Sequence, residues 1–88
     1  PEFPKLLAAA MRERALMRAL AAKRAERGLS QREVAAKMAT SQAAVARLER
    51  AEGDPRLSTL GRYALAVGQR LEWRLVADEE PAPARDGE

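Results

Sequence analysis

The short stretch Gln42-Ala43-Ala44-Val45-Ala46-Arg47-Leu48-Glu49-Arg50 carries the side chains best suited to chemistry. If it is a helix opening after Ser41, Val45 and Leu48 point inward at i, i+3 spacing. Gln42, Ala43, Ala46, Arg47 and Arg50 then share the outer face. An amide can donate to and accept from adenine, and a guanidinium can donate twice to guanine. The Ala43 methyl can meet a thymine methyl, and the small Ala46 permits close approach. These groups do recognition rather than bond-making. The chain has no histidine and no cysteine, so Ser-His and Cys-His catalysis, disulfides and thiolate metal sites are excluded. An enzyme is not expected, nor a metal or any cofactor.

The charge distribution agrees with a polyanion as partner. The chain has 88 residues and a net charge of +3. Ala77–Glu88 holds five acids against one arginine, which leaves 15 basic and 8 acidic side chains in residues 1–76. A basic compact part followed by an acidic, proline-containing segment suggests a nucleic-acid-binding domain with a disordered tail over 77–88. No apolar run approaches the roughly 20 residues that a membrane span needs. A soluble, cytoplasmic protein without a membrane role is therefore the expectation. The chain opens at Pro1 rather than methionine, so native residues are expected before it.

Eighty-eight residues suffice for one modest core. Leucine, alanine, glutamate and arginine dominate residues 4–67, with breaks at Gly28, Thr40, Gly53-Asp54-Pro55 and Gly68. That is helical composition with helical punctuation. The first helical stretch runs from about Pro4 to Arg27, but its apolar pattern slips around Arg12-Glu13-Arg14. It divides on pattern into an N-terminal extension (1–15) and a first core helix from Leu16, as one helix or two. Gly28 supplies a stop. Ser30-Gln31-Arg32-Glu33 has the form of a capping box and opens a second helix to about Met38. After a turn at Ala39-Thr40, Ser41 caps a third helix to about Ala51. Ser58 is expected to cap a fourth, Thr59–Val67, with Leu60, Ala64 and Val67 inward. From Gln69 to Val76 the period changes: Leu71, Trp73 and Leu75 alternate with Glu72 and Arg74, as in a half-buried strand. With no second strand in the chain, it must pair with a copy of itself or another protein. The alternative is a fifth helix.

Two short capped helices joined by a tight turn are the parts of a helix-turn-helix. Residues Arg24 to Gly68 resemble the Cro/repressor-type (XRE) family. The matching residues are Gly28-Leu29-Ser30-Gln31-Arg32-Glu33-Val34-Ala35, Thr40-Ser41-Gln42, Val45-Ala46-Arg47-Leu48-Glu49, and Asp54-Pro55 with Leu57-Ser58-Thr59-Leu60. Val34, Ala35 and Met38 should face Val45 and Leu48. One departure stands at Ala39, where the family usually has glycine because the turn is left-handed. The resemblance implies that Arg24 pairs with Glu49, fixing the third helix and removing both from any DNA contact. It places Gln42, Ala43, Ala46 and Arg47 in the major groove. Gln31, Thr40 and Ser41 can hold phosphate from the helix starts, with Arg32, Arg50 and Arg56 as further phosphate contacts.

The expected fold is all-α: a compact helix-turn-helix domain of four to five helices over 16–68. An N-terminal helical extension precedes it, and a short β-strand over 69–76 pairs across a dimer. Pro1-Glu2-Phe3 with its extension, and Gly68–Val76, resemble HigA-type antitoxins. That likeness implies a homodimer that represses its own operon at a palindromic operator and neutralises a RelE-fold, mRNA-cleaving toxin. Leu71, Trp73 and Leu75 would form the dimer seam. Phe3, Leu6, Leu7, Ala10 and Met11 form an apolar stripe that either docks on the toxin or packs on its own domain. Two rival readings are a stand-alone, phage-like repressor and a protein-interaction module that no longer binds DNA.

Overall fold

The computed structural model describes residues 3–78. Among them are four helices, α1 (Phe3–Glu26), α2 (Gln31–Met38), α3 (Gln42–Glu49) and α4 (Leu57–Ala66). The slip around Arg12-Glu13-Arg14 does not break α1, which is one helix of 24 residues. Residues 3–26 contain no glycine and no β-branched side chain, so propensity carries the helix through where the apolar pattern falters. At 1.5 Å per residue it is about 36 Å long, and its core contacts lie in its second half. Met17 and Leu20 are its buried residues, with Leu16 packed against the core beside them.

α2 packs on α3 and α4, and α1 packs on α3. The core they enclose combines Met17 and Leu20 of α1, Val34, Ala35 and Met38 of α2, and Val45 and Leu48 of α3. Leu60, Tyr63, Ala64 and Val67 from α4 and its end complete it. Val34, Val45, Tyr63, Ala64 and Val67 are fully excluded from solvent. Tyr63, Met17 and Leu20 thus join the inward-facing residues that the sequence pattern suggests.

All four of these helices end in the same way. The N–H of Leu29 donates to the Arg24 carbonyl, Thr40 to Ala35, Glu52 to Arg47 and Gln69 to Ala64, with the preceding residue closing a shorter loop in each case. This double closure satisfies the last carbonyls and needs one left-handed residue. Gly28 and Gly68 take that conformation at the ends of α1 and α4. At the ends of α2 and α3 the residues are Ala39 (φ 57°) and Ala51 (φ 58°). The second alanine falls in a segment that the sequence suggests only as a loop.

Two expectations are corrected or left without a counterpart. α4 opens at Leu57, two residues earlier than the expected Thr59, and Arg56 precedes it in extended conformation without a side-chain cap. With Arg56 extended the chain is already helical at Leu57, so Ser58 lies inside the first turn and cannot cap it. Residues 69–78 form neither helix nor strand, so neither the fifth helix nor the paired strand is seen in the single chain. Leu71 in that segment packs on the chain's own core. The expected disordered tail over 77–88 falls, from residue 79 onward, outside the described residues. Asp78 is described, and its carboxylate pairs with Lys5 of α1 at 2.7 Å.

Candidate nucleic-acid interface

Capping chemistry sets the two helix starts that form this surface. The Ser30 hydroxyl accepts from the Glu33 N–H at 3.0 Å, and the Glu33 carboxylate accepts from the Ser30 N–H at 2.8 Å. Together these are the reciprocal capping box. The Ser30 backbone N–H, and then the Ser30 hydroxyl, hold the Glu33 carboxyl below its ordinary value. At α3 the Ser41 hydroxyl accepts from the Ala44 N–H at 3.1 Å. Gln31 and Gln42 are therefore the first residues of their helices. The packing of α2 on α3 brings the two amides together, with Gln42 Nε2 at 3.5 Å from Gln31 Oε1.

Behind them lies a half-buried polar cluster around Glu49, whose side chain is only 9% exposed. Arg24 grips it with two donors, Nε to Oε2 at 2.6 Å and Nη2 to Oε1 at 3.0 Å. The third face of the guanidinium donates to the Leu29 carbonyl at 2.9 Å. Tyr63 Oη donates to Oε2 at 2.5 Å, and Gln31 Nε2 donates to Oε1 at 3.0 Å. Burial opposes ionisation of Glu49, but the Arg24, Tyr63 and Gln31 donors outweigh it and hold the carboxyl below its ordinary value. Arg24 is pushed up in turn, chiefly by its hydrogen bond to Glu49. Burial and then the Glu49 contact push the Tyr63 phenol upward, so it stays a donor at any ordinary pH. No buried side-chain polar atom among the described residues lacks a partner. The pair is thus a structural clamp from α1 to the end of α3, extended to α4 by a tyrosine. Tyr63 carries a legible sign in hindsight: it follows Leu60 by three residues on the inner face, and a buried phenol needs an acceptor.

The outer face of α3 presents Gln42, Ala43, Arg47 and Arg50 to solvent, with Ala46 half-buried between them. Arg47 stands near enough to Glu52 to help keep that carboxyl low, after the larger effect of Arg50. Arg50 itself is engaged: its Nε lies 2.8 Å from Glu52 Oε2. Arg32, Thr40, Ser41 and Arg56 are exposed around this face. Gln31 is half-buried and already committed to Glu49 through its amide nitrogen.

The residues expected at protein partners lie away from this face. Phe3 is 71% exposed, and Leu6, Leu7 and Met11 are exposed with it. The stripe therefore does not pack on its own domain. Trp73 is 56% exposed and Leu75 fully exposed. Trp73 also borders an open, largely apolar groove with Leu16 and Met17 of α1, Pro55, and Leu57 and Leu60 of α4. Among the described residues no group of acidic side chains could hold a metal ion, and no helix is long and apolar enough to cross a membrane.

Comparison with known proteins agrees with the geometry. The family model described as helix-turn-helix matches residues 20–74. Two curated proteins, each called Antitoxin HigA1, match from Mycobacterium tuberculosis strains CDC 1551 / Oshkosh and ATCC 25618 / H37Rv. Each is 45% identical over 78 residues, covering 89% of this chain and 51% of the relative. The chain thus spans about half the length of the curated relatives it matches. No solved structure matches it.

Proposed function

The chain belongs to the XRE-type helix-turn-helix family, a family of DNA-binding regulators rather than enzymes, and from that membership we propose that it is a sequence-specific antitoxin-repressor. The observation that carries the proposal is the meeting of Gln31 and Gln42 at two capped helix starts, beside an exposed Arg47. In this reading α3 enters the major groove of operator DNA. Gln42 reads adenine, Arg47 reads guanine O6 and N7, and Ala43 touches a thymine methyl while Ala46 allows the approach. The N-termini of α2 and α3 meet the phosphates on either side with Thr40 and Ser41, and Arg32 and Arg56 add charge.

Two copies pair through residues 69–76 as antiparallel strands, with Leu71, Trp73 and Leu75 near the twofold axis. The operator is palindromic, because twofold protein symmetry demands matched half-sites about one helical turn apart. The likeness to Antitoxin HigA1 supports a toxin as second partner. We assign it a RelE-fold toxin, docked on Phe3, Leu6, Leu7 and Met11, with repression of the chain's own operon as the regulatory outcome.

The test is binding to the DNA upstream of its own gene across a salt series. Arg47→Ala should cost about 1–3 kcal/mol and relax preference at one base pair. Arg32→Ala should weaken all sequences alike and flatten the salt slope. Equal losses on cognate and random duplexes for Arg47→Ala would remove it from base reading. A regulator without a toxin is the second reading. It is favoured by the family match beginning at residue 20, which leaves out the projecting half of α1. Co-purification with the product of the neighbouring gene separates the two.

A further inference from the structure

The Glu49 cluster reaches the reading face through one amide, and the chemistry of each link fixes the polarity of the next. An ionised carboxylate only accepts hydrogen bonds. Gln31 must therefore turn its nitrogen toward Glu49, as it does at 3.0 Å. Its oxygen is then the group left facing α3. Gln42 answers with its own nitrogen, at 3.5 Å from that oxygen. The Gln42 oxygen and its second N–H proton remain for a partner outside the protein. An acceptor beside a donor matches the N6 and N7 groups of adenine.

We propose that Glu49 is a specificity-positioning residue, which sets the amide orientation of Gln42 through Gln31 without touching DNA. This inference rests on the proposed reading of DNA by Gln42. Tyr63 and Arg24 keep the carboxylate ionised and in place, but they do not pass the polarity on. Only an acceptor-only group at position 49 does. With Glu49→Gln the Gln31 amide can face either way, and the Gln42 amide loses its fixed orientation.

The experiment starts from duplexes selected by the parent chain from a randomised pool, followed by a panel varying one base pair at a time. Gln42→Ala first identifies the position that Gln42 reads. Glu49→Gln and Gln31→Leu should each reduce discrimination at that position by about 5- to 100-fold, the range of one bidentate base contact. Discrimination at the pair read by Arg47 should stay unchanged. The double variant should lose no more than either single one, because both cut the same relay. Tyr63→Phe should lower the melting temperature yet leave discrimination intact, since Glu49 still accepts from Gln31.

Unchanged discrimination in Gln31→Leu, or an equal fall at every position, overturns the relay. Gln31→Leu alone decides the matter should Glu49→Gln fail to fold. If Gln42→Ala alters no position, the DNA reading itself fails, and the relay fails with it. A position lost in Gln42→Ala but kept in Glu49→Gln and Gln31→Leu removes the relay alone.

Discussion

Glu49 ties stability to pH at the residue level. Its folded carboxyl lies below the ordinary value of 4.5, against the opposing effect of burial. A depressed acid stabilises the fold above its unfolded pKa, and that contribution disappears as pH falls through the folded value. Glu49→Gln should therefore melt well below the parent at pH 7. Leaving Arg24 without its charged partner in a half-buried site points to a loss of roughly 3 kcal/mol. The gap should narrow as pH is lowered beneath the ordinary carboxylate range, because the parent then loses the same charge. A gap that stays constant from pH 7 to pH 3 by thermal melting would assign the effect to packing. Arg50 poses the opposite case, since its pair with Glu52 is more than half exposed on both sides and solvent-screened surface pairs add little to stability. If Arg50 contacts a DNA phosphate as proposed, Glu52 competes with that phosphate for the guanidinium. Glu52→Gln should leave the melting temperature nearly unchanged while tightening DNA binding several-fold at low salt, an advantage that shrinks as salt rises. Unaltered affinity in a salt titration would mean that Arg50 contacts no phosphate.

At the level of elements, left-handed residues end the helices, and two of them are alanines. A β-carbon in that conformation costs roughly 1–2 kcal/mol. Glycine would remove this strain while losing about 0.5–1 kcal/mol through the freer unfolded chain. Ala39→Gly and Ala51→Gly should each stabilise by up to about 1 kcal/mol, seen as a rise of several degrees in melting temperature. The sites lie at opposite ends of α3, so the double variant should be close to additive. No rise in either variant would mean that the neighbouring turns relax to accommodate the methyl. These turns also show what the sequence discloses and what it conceals. Ser30, Ser41 and Gly28 announce helix ends because their side chains, or the lack of one, do local work. Ala39 was legible only through the family resemblance, and Ala51 was not legible at all, since an alanine carries no mark of a left-handed backbone. The start of α4 is hidden for a related reason: Ser58 looks like a cap, but Arg56, with no capping side chain, stands at the cap position. Tyr63 is the largest omission from the site. Its inner-face position follows from Leu60, but its phenol finds Glu49 across 14 positions of sequence, a partner that no local pattern encodes.

At the scale of the whole molecule, the proposed recognition face and the exposed apolar side chains lie on different elements. The α2–α3 face is fastened by the Glu49 cluster. The first half of α1 and residues 73–76 instead leave Phe3, Leu6, Met11, Trp73, Leu75 and Val76 exposed. Large apolar side chains gathered on two such segments are poorly explained by the needs of a single chain. The strand-like alternation from Leu71 to Leu75 makes self-pairing the simplest relief, because a lone extended segment leaves its backbone groups to water while a second copy satisfies them. In the single chain Trp73 rests at the edge of the groove beside Leu16 and Leu57, and a twofold partner would cover both the ring and the groove. Trp73→Arg puts a charge at the proposed seam while leaving the Glu49 cluster untouched. It should sediment as a monomer with a nearly unchanged circular dichroism spectrum. It should also lose operator binding at concentrations where the parent is saturated, since one half-site contact must then hold without its twin. A variant that remains dimeric and still binds would move the twofold seam away from residues 69–76. The exposed stripe of α1 would then be the next surface to test for self-association.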